Sequence, residues 1–218
     1  MGLLQESDLA DVRERFAELA NPVKLVHFTQ ELNLQLGRET RQLLEELTQI
    51  SAKLSLETYD FVTDKEKVGE YAIDKVPATV IRNDKDYGIR FYGMPAGYEF
   101  STLLDAILLV SKGDSGLQPE SRQKLAALTQ PLHLQVFTTP TCPYCPPAVH
   151  MAYKFAMESD LVRADGIEAT EFPDLATRHH VMAVPRTVVN GQGHVEGSLR
   201  EDFFLDAVLK SVNAPAAG

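Results

Sequence analysis

The hydrophobic pattern of the chain alternates between short apolar runs and longer segments with helical spacing. Runs at 24–28 and 132–137 are apolar over strand length, so they predict buried strands. Apolar residues three and four positions apart share one helix face, which predicts amphipathic helices. We predict such helices over these ranges: 8–19, 38–51, 99–110, 119–128, 146–158 and 201–212.

The second half of the chain repeats the pattern of the first. The run 23–29 aligns with 132–138 at a shift of 109 residues, and Val76-Pro77 aligns with Val184-Pro185 at a shift of 108. Each copy predicts a helix, a strand, a long helix, a short strand, a short helix, two further strands and a closing helix. The further strands are expected at 78–81 and 89–92, and at 187–189 and 194–196. This order is typical of a mixed sheet covered by helices on both faces. The predicted fold class is therefore α/β, with two tandem units that each contain a mixed sheet flanked by helices.

A polar, Gly- and Pro-rich break at 111–119 separates the two copies. Such segments mark loops and linkers. We therefore expect two domains, 1–115 and 116–218.

Composition and charge exclude several classes of function. The chain has 218 residues, of which 44% are hydrophobic and 24% charged, as in globular proteins. Its net charge of −10 argues against a nucleic-acid partner, which would require a basic surface. No apolar run approaches the roughly 20 residues that span a bilayer. The first ten residues lack the basic and apolar parts of a secretory signal, so a cytoplasmic location is expected.

Two cysteines occur in the chain, and they are three residues apart in Cys142-Pro143-Tyr144-Cys145. They follow a predicted strand and stand at the start of a predicted helix, whose N-terminus favours an anion. Cys142, at or next to the N-cap, is the expected nucleophile, and Cys145, one turn further on, is expected to resolve a mixed disulfide. Pro143 fixes the turn, and Tyr144 can cover the site and contact a partner. Pro147 is expected to cost the helix a backbone hydrogen bond.

Other uses of the two cysteines remain possible. A structural zinc site needs about four ligands. Only His150, His179 and His180 stand near enough in sequence to add ligands, and they lack the spacing of a zinc module. A pair of inert core cysteines is the other alternative. The prediction is a redox site without a metal.

The segment 132–212 resembles the thioredoxin/glutaredoxin superfamily. The tetrapeptide Cys142-Pro143-Tyr144-Cys145 is similar to the glutaredoxin-type active site, and Val184-Pro185 is similar to the cis-proline segment of that superfamily. The resemblance implies that Pro185 lies beside the disulfide. It also implies that the backbone of Val184 pairs with an incoming substrate strand.

Over residues 7 to 212 the doubled unit resembles two groups of tandem proteins. These are the bacterial and archaeal protein disulfide oxidoreductases and the N-terminal domain of the alkyl hydroperoxide reductase flavoprotein subunit. The former usually carry a dithiol in both halves, and the latter only in the second. Here Asn33 and Leu36 occupy the positions that correspond to the two cysteines, which favours the second group. Pro77 is retained, either for a peptide-docking groove or only for the fold, and both interpretations stay open.

These observations predict an enzyme, a thiol–disulfide oxidoreductase that acts on disulfide-containing protein substrates, a peroxiredoxin among them. The sequence has no G-x-G-x-x-G dinucleotide fingerprint. We therefore expect no bound cofactor and a separate electron donor, either a flavoprotein reductase or glutathione. Two alternatives remain: a peptide-docking, redox-sensing adaptor without turnover, and a glutaredoxin-like protein that carries an iron–sulfur cluster through Cys142.

The residue that moves the proton is not evident from the sequence. Thioredoxins proper have a buried acid six residues before the first cysteine, where this chain has Val136. Glu171 and Asp174 are candidates by proximity in sequence only. Arg186, which follows Pro185, is either a contact for an anionic partner or an ordinary surface charge.

Overall fold

The computed structural model describes residues 2–30 and 35–213. The first unit consists of α1 Glu6–Phe16, β1 Val23–Thr29, α2 Gln35–Ile50, β2 Leu54–Asp60, α3 Lys65–Glu70, β3 Ala78–Arg82, β4 Ile89–Tyr92 and α4 Tyr98–Lys112. The second unit consists of α5 Pro119–Ala126, β5 Leu132–Thr138, α6 Cys145–Glu158, β6 Val162–Glu168, α7 Pro173–Arg178, β7 Arg186–Val189, β8 Gly193–Glu196 and α8 Glu201–Asn213. The two units have the same element order, which confirms the predicted α/β class and the internal repeat.

The described strands form one eight-stranded sheet in the order β2-β1-β3-β4-β6-β5-β7-β8. Within each unit the first two strands are parallel and the remaining pairs antiparallel. The edge strands β4 and β6 pair in parallel and join the two mixed sheets. The sequence predicted a sheet in each unit but carried no sign of this junction.

Both faces of the sheet are covered, as the alternation along β1 illustrates. Leu25 belongs to the larger hydrophobic cluster, and its neighbour Val26 to the smaller one on the other face. Helices α1, α2, α4, α5, α6 and α8 contribute to the larger cluster. Helices α3 and α7 cover the opposite face through Val68, Leu175 and Ala176.

The units also contact each other away from the sheet. Helix α4 of the first unit packs against α6 of the second. The hydroxyl of Tyr153 on α6 donates a hydrogen bond to the carbonyl oxygen of Arg90 on β4 at 2.7 Å. Ser115 and Leu117, in the segment that joins α4 to α5, are buried. The domain boundary near residue 115 therefore stays a prediction, because core packing and the sheet continue across it.

Helix ends differ from the predicted ones by a few residues. Helix α1 begins at Glu6, two residues earlier than expected, because the amide of Gln5 donates to the carboxylate of Asp8 at 3.0 Å and caps the helix. Helix α2 begins at Gln35 rather than at Arg38. Within the described residues no helix combines the length and the apolar character needed to cross a bilayer.

Candidate active site

Cys142 and Cys145 form a disulfide, with their Cα atoms 5.5 Å apart. The pair lies in the turn between β5 and α6, as the strand–turn–helix pattern predicted. Cys142 is 8% exposed, whereas Cys145 is fully buried. Cys142 is therefore the less buried of the two cysteines.

The turn places Cys142 further from the helix than the sequence suggested. Helix α6 starts at Cys145 with Tyr144 as its N-cap, so Cys142 lies two residues before the N-cap rather than at or next to it. The Cys142 amide donates to the carbonyl of Thr139 at 3.1 Å, and the Cys145 amide donates to the carbonyl of Cys142 at 3.4 Å. These two bonds fold the backbone around Pro143.

The two prolines after the cysteines cost the helix no hydrogen bond, contrary to the expectation for Pro147. Pro146 and Pro147 are the second and third residues of α6. The first four amides of a helix have no acceptor within it. The first turn of α6 therefore lacks two amide hydrogens, and the amide of Cys145 donates to the carbonyl of Cys142.

The proline loop of the second unit lies directly beside the disulfide. The Val184–Pro185 peptide bond is cis, as the resemblance implied. The carbonyl oxygen of Val184 lies 3.8 Å from Sγ of Cys142. Tyr144 is 70% exposed on the outer side of the turn, while Pro185 is buried. The structure thus gathers Pro143, Tyr144, Val184 and Pro185 around the cysteines, and their roles in binding substrate remain a prediction.

Glu99, at the start of α4 in the first unit, was missed by the sequence analysis. It is fully buried, and the hydroxyl of Thr138 at the end of β5 donates to its carboxylate. Burial raises the pKa of Glu99 to about 8, and the nearby carboxylates of Glu168 and Glu171 raise it further against the effect of the Thr138 hydrogen bond. A buried carboxyl group that holds its proton near neutrality therefore lies at the base of the active-site turn.

Backbone contacts fix the start of α4 against the same turn. The amide of Tyr98 donates to the carbonyl of Pro140 at 2.8 Å. Gly97 precedes it with φ of +54°, and a Cβ there would overlap the Pro140 carbonyl oxygen. Only glycine allows this close approach of the two units.

The carboxylates proposed from sequence proximity have other positions. Glu171 accepts a hydrogen bond from the amide of Met94 at 2.6 Å, so it ties the second unit to the first instead of lying free in a loop. Burial raises its pKa. Asp174 is exposed in the first turn of α7. Val136 is buried in the larger cluster, so no acid occupies that position.

The corresponding proline loop of the first unit packs against the second unit through Gly93. The Val76–Pro77 bond is also cis, and the amide of Gly93 donates to the carbonyl of Pro77 at 2.9 Å. A Cβ on Gly93 would meet Glu168 and Glu171 of the second unit within 3.0 Å, whereas one on Gly197, the equivalent position, would meet nothing within 4 Å. Leu36 lies in the first turn of α2, and Asn33 lies outside the described residues.

The histidines considered as zinc ligands are not gathered at the cysteines. His150 lies on α6 with Nδ1 buried and without a partner, and burial lowers its pKa. His179 and His180 follow the end of α7. Across residues 2–30 and 35–213 no group of three or more metal-ligating side chains is found.

Comparison with known proteins agrees with this geometry. Residues 132–210 match the model of a thioredoxin domain family. The chain is similar to the crystal structure of a protein disulfide oxidoreductase from Aeropyrum pernix, with 29% identity, a TM-score of 0.89, and coverage of 98% of this chain and 96% of that one. It is also similar to the NTD_N/C domain of alkylhydroperoxide reductase from Enterococcus faecalis, with 26% identity, a TM-score of 0.87, and coverage of 94% and 99%.

Longer relatives match over the same region. The F subunit of alkyl hydroperoxide reductase from Staphylococcus aureus is 26% identical over 215 residues, and that from Pseudomonas putida is 25% identical over 212 residues. The matches cover 94% and 97% of this chain but 38% of each relative, so the chain spans about two-fifths of their length. Residues 132–210 therefore match a thioredoxin domain, and the whole chain has a tandem thioredoxin-like fold, as in a protein disulfide oxidoreductase and in part of the alkyl hydroperoxide reductase F subunit.

Proposed function

We propose that this protein is a thiol–disulfide oxidoreductase that exchanges disulfides with protein substrates through Cys142 and Cys145. The observation that carries the proposal is the Cys142–Cys145 disulfide beside the carbonyl of Val184. Glu99 accepts a hydrogen bond from Thr138, at the end of the strand that leads into the cysteine turn. A less buried cysteine, a fully buried second cysteine and a buried carboxyl group that titrates near neutrality are groups that the reaction can use.

The reaction starts from the reduced dithiol. The Cys142 thiolate attacks one sulfur of the client disulfide, so a bond forms between Cys142 and the client while the client S–S bond breaks. The departing client thiolate takes up a proton. Cys142 is the attacking residue because it has access to the surface, whereas Cys145 is buried.

Cys145 then completes the exchange. Its thiolate attacks Sγ of Cys142, which forms the internal disulfide and releases the second client thiolate. Two electrons pass from the dithiol to the client. We assign the proton that Cys145 loses to the ionised form of Glu99, directly or through a water molecule. Because the pKa of Glu99 is raised to about 8, this form is the minority at pH 7, and resolution should accelerate as pH rises towards 8.

Reduction of the oxidised pair requires an electron donor, and these 218 residues contain no dinucleotide fingerprint. A separate flavoprotein reductase or glutathione is the proposed donor. A peroxiredoxin is the proposed client, in keeping with the similarity to the F subunit of alkyl hydroperoxide reductase.

The first unit has no dithiol, and its proposed role is to stabilise the second unit and to place Glu99 near the cysteine turn. The close packing of Gly93 against Glu168 and Glu171 argues against peptide docking on that side of Pro77. Glu99 and the shared sheet give the unit a direct part in the second site.

Insulin reduction with dithiothreitol as electron source tests the proposal. We expect the wild-type protein to accelerate the reduction and Cys142→Ser to give the uncatalysed rate. Equal rates for the two proteins would favour the adaptor without turnover. An anaerobically purified protein that is brown, and colourless as Cys142→Ser, would favour the iron–sulfur carrier.

A further inference from the structure

A basic groove lies between the end of α7 and the β7–β8 hairpin. We use this name for the concave surface lined by Arg178, His179, His180, Arg186 and His194, which has a volume of about 430 Å³. The chain as a whole carries a net charge of −10, with 31 acidic against 21 basic residues. A concave surface whose described lining includes two arginines and no carboxylate therefore departs from the acidic character of the molecule.

The β7–β8 hairpin builds the floor of the basic groove. Arg186 and Val188 project from the same face of β7, because strand residues two apart share a face. They pair with Glu196 and His194 on β8. The opposite face carries Thr187 and Val189, which are buried. Arg186 and His194 thus stand on the sheet, whereas Arg178, His179 and His180 reach the groove from the end of α7.

Arg186 has hydrogen-bonding capacity left over. Its side chain is 11% exposed, and one guanidinium nitrogen donates to Glu196. Its Nε is buried and has no partner among the described residues. Buried donors in proteins are nearly always paired, so an unpaired one indicates a site for an acceptor.

The charge balance of the basic groove is positive. Glu196 is a carboxylate in an ion pair with Arg186, whereas Arg178, which is exposed, has no ion pair in the part of the chain that the structure describes. Burial lowers the pKa of His179, and the neighbouring Arg178 and Arg186 lower it further. The two arginines lower it because their positive charges disfavour a further positive charge nearby.

The basic groove adjoins the redox site. Arg186 directly follows Pro185, and the carbonyl oxygen of Val184 lies 3.8 Å from Sγ of Cys142. An extended polypeptide advances about 3.3 Å per residue. Arg186 stands two positions after Val184, so a client strand that runs along Val184 comes level with Arg186 about two residues further on.

We propose that the basic groove binds acidic side chains on the segment that flanks the client's reactive disulfide, and so selects acidic clients. This inference rests on the proposed function. A client segment is the occupant because the groove complements negative charge and continues from the place where the mixed disulfide forms.

Two synthetic disulfide peptides test the inference. They are identical except that two glutamates placed two and four residues from the cysteine in one peptide are glutamines in the other. We expect the wild-type protein to reduce the acidic peptide with a kcat/KM about threefold to tenfold higher, since partly exposed ion pairs are individually weak. The double variant R178Q/H194Q should bring this ratio towards one. Added NaCl should have the same effect on the wild-type protein.

Arg13→Gln serves as the matched control. Arg13 is an exposed arginine on α1 of the first unit, and its removal should leave the ratio unchanged. A wild-type ratio of one, or an equal ratio in R178Q/H194Q, overturns the inference while the proposed function stands. A wild-type protein that reduces neither peptide nor insulin overturns both.

Discussion

The unequal exposure of Cys142 and Cys145 leads to different products when each is replaced. Cys145→Ser can form the mixed disulfide but cannot resolve it, so we expect it to accumulate covalent complexes with its client. Cys142→Ser leaves a fully buried thiol and should accumulate none. Non-reducing electrophoresis of lysate incubated with each protein measures the difference. Equal trapping by both variants would reverse the assigned roles.

Glu99 should make stability depend on pH. Burial raises its pKa from 4.5 to about 8, so between those values the folded chain holds a proton that the unfolded chain has released. The contribution of Glu99 to the free energy of unfolding is fully present below about pH 4.5 and is lost as pH rises through about 8. Glu99→Gln removes this titration and keeps an uncharged group that can accept the Thr138 hydrogen bond.

We therefore expect Glu99→Gln to gain about 2–4 kcal/mol relative to wild type between pH 5 and pH 8. Urea unfolding of both proteins at the two pH values gives this difference, and other titrating groups cancel in the comparison. A difference that does not change with pH would mean that Glu99 is already ionised in the folded protein.

The residues that sequence spacing revealed are those whose partners are close along the chain or defined by a motif. The cysteine pair and Pro185 belong to this class, and the structure places them together. Glu99 does not, because its contact with Thr138 joins residues 39 positions apart in different units. No local pattern distinguishes a glutamate in the first helical turn that caps from one that is buried against a neighbouring unit.

At the scale of elements, α4 offers a comparison between its two ends. Gly97 at its start and Gly113 at its end both have positive φ, +54° and +71°. A Cβ at Gly97 would overlap the Pro140 carbonyl oxygen, whereas one at Gly113 would meet nothing within 4 Å. Gly113→Ala should cost about 1–2 kcal/mol from backbone conformation alone. Gly97→Ala should lower the free energy of unfolding by more, about 3 kcal/mol or above, because the backbone at Pro140 or at the start of α4 must move.

Insulin reduction separates the two glycine variants further. Gly97→Ala displaces the turn that carries Cys142 and should slow reduction severalfold, while Gly113→Ala should retain the wild-type rate. Urea unfolding supplies the stability difference. Equal losses of stability and equal rates would show that the approach of α4 to Pro140 is unimportant for the site.

Most helices and strands were predictable because their apolar spacing is strong, and their ends were less so. The start of α1 depends on the side chain of Asp8 reaching back to the amide of Gln5, which hydrophobic spacing does not report. The pairing of β4 with β6 was beyond the sequence, since backbone hydrogen bonds between edge strands leave little mark on side-chain pattern.

At the scale of the whole molecule, the continuous sheet predicts a single cooperative unfolding transition. Leu44 is fully buried in the first-unit part of the larger cluster. Leu44→Ala should cost about 2–5 kcal/mol through the cavity that it leaves. If the units unfold together, the loss must appear equally at the active site of the second unit.

Alkylation of Cys145 in the reduced protein is a probe of that site, because the residue is fully buried in the fold. We expect the urea midpoint at which Cys145 becomes reactive to fall in Leu44→Ala together with the midpoint of circular dichroism. A lowered dichroism midpoint with an unchanged Cys145 midpoint would indicate two independently folding units.

The position of Glu99 limits how the two halves can change over evolutionary time. Loss of reactive thiols from one copy of a duplicated unit would ordinarily free that copy to drift. Here the first unit, which has no thiols, contributes Glu99 and the backbone contact between Tyr98 and Pro140 to the second unit. Substitutions at Gly97 and Glu99 should therefore be tolerated poorly in the first unit. The second unit, transferred alone to another protein, should lack these contacts and function less well.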